Sequence, residues 1–265
     1  MAADRGRARS GDGKPRPDRS GPRGAGDRKG YQGKPKPERD RRDRGAPRDE
    51  SPSTRESAHL SKAIVGELQA TARPGKAEDL VKVFGQAAQA FLEEDYAEAI
   101  RLGEQSKQMA LRSASVREVL GLAYYRTAQW SETVREISTF RRIAGSQEQN
   151  HVLADAYRAL KKPDKALDLV DMVEKGKVDE QVFFEAQIVA AGALADMGEL
   201  DRAIARLEGL DLRPPVARDH HLRTWYVLAD LLERRGRYTQ AKELFEAVAG
   251  ADPEVTDAPE RAARL

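Results

Sequence analysis

Four histidines (His59, His151, His220 and His221) and no cysteine bound the chemistry this 265-residue chain can carry. Without a thiol there is no disulfide, no cysteine-ligated zinc and no thiol nucleophile. No Gly-x-Ser-x-Gly elbow presents a serine to a histidine–aspartate pair. No His-Glu-x-x-His sets two imidazoles on one helix face to hold zinc, and no Gly-x4-Gly-Lys-Ser/Thr loop cradles a phosphate. Asp219-His220-His221 places one carboxylate beside two imidazoles, but it follows Pro214-Pro215 and opens a helix. It reads as a capping aspartate with two exposed first-turn histidines. The Gly-x-Gly patterns at Gly11-Asp12-Gly13 and Gly24-Ala25-Gly26 have no strand before them or helix after them, so they are linker glycines. Glu93-Glu94-Asp95 falls between two helical segments and reads as a solvated corner. The expectation is a non-enzyme, with no catalytic residue, no metal site and no cofactor.

The elements that could position any site are helical. Leu60, Ile64 and Leu68 recur every four residues, one helix stripe over His59–Thr71 that Arg73-Pro74-Gly75 stops. From Glu78 onward no segment alternates with period two. The most informative stretch runs Trp225-x2-Leu228-Ala229-x2-Leu232, then Gly236-x-Tyr238-x2-Ala241-x3-Phe245-x2-Val248, then Pro253. It reads as two amphipathic helices joined by a tight turn. A small residue recurs in the second helix as Ala99, Thr133, Ala166, Ala203 and Ala241, at spacings of 34, 33, 37 and 38. Each marks a place where two helices cross closely. Leu120-Gly121, Leu153-Ala154, Ala190-Ala191 and Leu228-Ala229 keep the same register upstream. Asp179 and Asp219 read as N-caps of first helices about one turn longer than the rest, which accounts for the two long spacings.

The Trp225–Pro253 unit resembles one tetratricopeptide repeat, whose pattern is W-x2-L-G-x2-Y, then A-x3-F, then P. Five such pairs in register, over 78–253, imply an all-α, right-handed superhelical array. A leading helix and linker occupy 56–77, and a short flexible tail 254–265. The resemblance implies that the first helices line a concave groove that binds a peptide or helix of a protein partner. Its groove positions fall on Glu118, Leu122, Tyr125 and Arg126 in the second repeat and on His151, Asp155 and Arg158 in the third. In the fifth they fall on Arg223, Tyr226, Asp230, Glu233 and Arg234. Phe84 and Phe91 mark the first repeat and Ile188 the fourth. The Lys and Asn that clamp a chaperone's C-terminal carboxylate in such repeats are missing. Asp219-His220-His221 also resembles the motif of the DHH phosphoesterases, but their preceding strand and other aspartate motifs are absent.

Charge divides the chain. Residues 1–55 carry 17 Lys/Arg against 9 Asp/Glu, whereas the remainder has a formal charge of −6. With 9 Gly, 7 Pro and only Met1 and Tyr31 as bulky apolar residues, the first segment cannot offset its ordering cost and is expected to be disordered. Its Arg16, Arg19, Arg23, Arg28, Lys29, Arg39, Arg41, Arg42 and Arg44 could attach to phosphate backbones by counterion release. The second functional reading is therefore an RNA- or ribosome-associated protein. No apolar run reaches the ~20 residues that span a bilayer, and Arg5, Arg7 and Arg9 precede no apolar signal core. The expected location is cytoplasmic. Arg outnumbers Lys 32 to 14, a composition that suits a GC-rich bacterial genome.

Overall fold

A computed structural model of the chain describes residues 57–252 and 256–265. The described residues hold twelve helices and no strand. Helix α1 (Lys62–Thr71) leads. Five pairs follow: α2 (Ala77–Leu92) with α3 (Tyr96–Met109), α4 (Ala114–Arg126) with α5 (Trp130–Ala144), and α6 (Asn150–Ala159) with α7 (Pro163–Val170). The fourth is α8 (Glu180–Asp196) with α9 (Leu200–Glu208), and the fifth α10 (Asp219–Arg235) with α11 (Tyr238–Ala251). A last helix, α12, covers Ala258–Arg264.

The recurring small residues sit at the helix crossings. Ala99, Thr133, Ala166, Ala203 and Ala241 all have 0% exposed surface. Gly121 shows how close the approach is. A Cβ there would lie 2.5 Å from Ile137 Cδ1, well inside contact distance, so α4 can cross α5 only without a side chain at this point. Helices α8 and α10 are 17 residues each against 13 for α4 and 10 for α6, and the connectors before them, 171–179 and 209–218, are longer than 110–113 before α4.

Asp179 caps α8 through its extended backbone, with no side-chain hydrogen bond. Asp219 is one residue inside α10, and the cap is Arg218. The His221 Nδ1 accepts the Arg218 backbone N–H at 3.1 Å, taking the part that Glu or Gln plays in a capping box. Asp219 instead places a carboxylate in the first turn, where the helix dipole favours it.

Helix α1 belongs to the array. Leu68 is fully buried with Leu80, Phe84 and Val116. Its Glu67 accepts from Ser113 Oγ at 3.0 Å and from the Ala114 backbone N–H at 2.7 Å, satisfying an orphan donor at the start of α4.

The C-terminal segment corrects the expectation of a short flexible tail over 254–265. Ala258 and Ala262, four apart, are 0% and 7% exposed and join the core cluster of the last two repeats. Two alanines one turn apart let α12 lie close on α11, a short stripe among charged residues that carries little hydrophobic signal.

Candidate partner-binding groove

The first helices touch one another in succession, α2 on α4, α4 on α6, α6 on α8 and α8 on α10, whereas the second helices have no comparable contact among themselves. Helices that converge on one side and spread on the other make a curved array. Its inner face is therefore lined by the first helix of each pair.

At the middle of this face, four helices bring together side chains far apart in sequence. From α4, the Tyr125 hydroxyl donates to Asp155 Oδ2 on α6 at 2.7 Å. Asp155 Oδ1 accepts from Arg158 Nη1 at 2.8 Å, and Arg158 Nε donates to Asp196 on α8 at 3.0 Å. Arg158 reaches across because α8 offers Gly192 there. A Cβ at Gly192 would fall 2.4 Å from the Arg158 Cζ, so the guanidinium fills the space of the missing side chain. Glu118 accepts from Gln149 Nε2 at 2.9 Å. Arg223 on α10 closes the cluster with an ion pair to Glu185 on α8 at 3.0 Å.

Burial controls the electrostatics. It pushes the Glu118 and Glu185 carboxyls above the usual carboxylate range. For Glu118 the Gln149 hydrogen bond opposes the rise, and for Glu185 the Arg223 charge does. Burial also lowers the His151 pKa, keeping this ring neutral. The Tyr125 hydroxyl is held protonated by burial and by the Asp155 charge. Glu185 is 8% exposed, and among the described residues its Oε1 is buried without a hydrogen-bond partner. Such an acceptor costs about 1–3 kcal/mol until a donor meets it.

The sequence-derived positions thus separate into two groups. Tyr125, Asp155 and Arg158 converge, with His151 electrostatically coupled to Asp155 and Arg223, whereas Glu118 bonds Gln149 just before α6. Leu122 packs beside them as a half-buried apolar floor, and Arg126 stays exposed. Tyr226, Asp230 and Arg234 form a second group at the last repeat, already covered from within the chain. Arg261 of α12 donates to Asp230 Oδ1 at 2.9 Å, pairs with Glu233, and stacks on the rings of Tyr226 and Phe245 at 5.5 and 4.3 Å. The Tyr226 hydroxyl meets Asp257. Arg234 pairs with Asp230 at 3.6 Å. The sequence reading missed Glu185. It stands three residues before Ile188, at a register position that faces the groove, and that spacing was the available signal. The tail cations Arg16, Arg19, Arg23, Arg28, Lys29, Arg39, Arg41, Arg42 and Arg44 lie outside the described residues.

The Asp219-His220-His221 reading needs correction. Both histidines are buried, 5% and 4% exposed, because α8 runs beside them and Phe184 packs at 4.7 and 5.0 Å from the two rings. The lengthened start of α8 covers the first turn of α10, so these are inward positions. A cavity of about 380 Å³ adjoins them, lined by His220, Leu222, Arg223, Tyr226 and Val248 among others.

A protein-family model described as tetratricopeptide repeat matches residues 222–255. The fold is a tetratricopeptide-repeat array. Among solved structures, it resembles YrrB, described as a TPR protein with an unusual peptide-binding site. That likeness has a TM-score of 0.51 at 16% identity and covers 77% of this chain and 99% of that one. It also resembles TTC0263, a thermophilic TPR protein of Thermus thermophilus, with a TM-score of 0.53 at 17% identity and 70% and 97% coverage. No curated protein sequence matches the chain. Among the described residues no helix is long and apolar enough to cross a membrane.

Proposed function

We propose that this array is a non-enzymatic adapter that holds a peptide segment of a protein partner against the central cluster between α4 and α10. The observation that carries the reading is Glu185 Oε1, among the described residues a buried acceptor without a donor on the inner face. A peptide laid along this face supplies N–H or cationic donors, and Leu122 with Tyr125 supplies apolar contact. The last repeat supports the same chemistry. There, the chain's own Arg261 enters between acidic groups and an aromatic ring. A partner residue of the same kind, Arg or Lys, suits Glu185 and Asp155. The peptide-binding site that YrrB's description records supports the mode without identifying the ligand.

The test is co-purification with the parent chain and with a triple variant, Tyr125→Ala, His151→Ala and Glu185→Gln. Loss of the parent's partners with unchanged circular dichroism is the expected result. Identical partner sets would remove the central cluster from the account.

A further inference from the structure

The start of α8 and the start of α10 bring Glu180, His220 and His221 together. One ligand atom from each lies within 4.8 Å of the others. His220 Nε2 is 3.7 Å from Glu180 Oε2 and, among the described residues, is buried without a hydrogen-bond partner. A polar nitrogen in that state is a cost to the fold, and nothing in the repeat architecture explains it.

We infer that Glu180, His220 and His221 form a binding site for a first-row divalent transition metal, zinc above all, with an open coordination position facing the adjoining cavity. Two imidazole nitrogens and one carboxylate oxygen suit Zn²⁺, Co²⁺ or Ni²⁺, whereas Mg²⁺ and Ca²⁺ prefer all-oxygen sets. Three protein ligands leave a tetrahedral ion one vacant position. His220 lines the cavity of about 380 Å³, which gives that position access to solvent or to a small ligand.

The rings are held for the task. Phe184 flanks both, and the two imidazole centroids are 4.1 Å apart. Metal–ligand bonds of about 2.1 Å set tetrahedral ligand atoms roughly 3.4 Å apart. His220 and Glu180 are near that separation already, and Glu180, with 49% of its side chain exposed, has room to close in.

Two present contacts must give way. Arg218 pairs with Glu180 at 3.1 Å, but its side chain is 68% exposed and free to swing out. His221 Nδ1 accepts the Arg218 N–H, which leaves the ring proton on Nε2. Ligation through either nitrogen ends that hydrogen bond, which weakens binding about fivefold. A three-ligand site tolerates such a loss.

The test uses the full chain without a polyhistidine tag, stripped with chelator and titrated with Zn²⁺ against a chromogenic competitor. The expected result is one equivalent bound at micromolar or lower concentration. His220→Gln and Glu180→Gln should each weaken it by about tenfold or more, and His151→Gln should leave it unchanged. Glu180 is half exposed, so its variant folds even where a change at His220 does not. Zinc should also raise the melting temperature of the parent and not that of Glu180→Gln. Absence of stoichiometric zinc binding by the parent, or unchanged affinity in both site variants, would overturn the inference.

Discussion

Glu136 carries its carboxylate at a place with no exposed surface, between α3, α4 and α5. Burial alone would raise its pKa, but hydrogen bonds from Arg135, Arg117 and Lys107 outweigh it and hold the group below the usual carboxylate range. Lys107 approaches to 3.1 Å and Arg135 to 2.8 Å, from two helices. The cluster ties the first repeat to the second. Removing one partner of a buried ion pair typically costs about 3–5 kcal/mol, because the remaining charges stay desolvated. Glu136→Ala is therefore expected to lose about 3 kcal/mol in urea denaturation. The sign with pH follows from linkage. A carboxyl depressed by folding contributes stability above its ordinary pKa of 4.5 that is lost as pH falls through the folded value. Denaturation at pH 7 and then below 4.5 should show the parent losing this increment and Glu136→Ala having none to lose. Glu136 was illegible in the sequence because a charged residue in a helix ordinarily faces water, and only its three cationic neighbours in space reverse that.

At the scale of the element, each repeat turns between its helices on a residue in the left-handed region, two positions before the second helix begins. Gly198 and Gly236 do so with φ of 83° and 85°. Glu94, Ala128 and Lys161 do so at 59°, 57° and 61°. A side chain there costs about 1–2 kcal/mol, partly offset because glycine loses more freedom on folding. Ala128→Gly and Lys161→Gly should each raise stability, by about 0.5–1 kcal/mol in the same denaturation assay. A drop in stability would mean the turn is held by something other than backbone preference. The helix pairs themselves were legible, since a crossing that admits only Ala, Gly or Thr leaves a small residue at a fixed place in each repeat. Helix α12 was not legible, since Ala258 and Ala262 make too narrow a stripe. Arg261, with only 12% of its side chain exposed, makes the pairs that anchor this helix. Arg261→Ala should cost about 2 kcal/mol, above the 0–1 kcal/mol of an exposed pair, and hydrogen exchange should quicken first in α12.

Across the described repeats, curvature gives the inner face its meaning. The first helices stack on one another and the second helices spread, so side chains on α4, α6, α8 and α10 become neighbours though over a hundred residues separate Glu118 from Arg223. Repeat register located Tyr125, Asp155 and Arg158 in the sequence, because equivalent positions on stacked helices share a face. It could not show that Tyr226 and Asp230, at equivalent positions, are covered by Arg261, nor that His220 and His221 turn inward. Both depend on packing between helices with no counterpart in a single repeat. The central claim, that a partner lies along this inner face, is tested most directly by site-specific photocrosslinking. A photoreactive residue would replace Leu122 on the inner face and, separately, Arg202 on the outer helix α9, where the side chain is 70% exposed. The account predicts that Leu122 captures a partner peptide and Arg202 does not. Capture from Arg202 alone would contradict it.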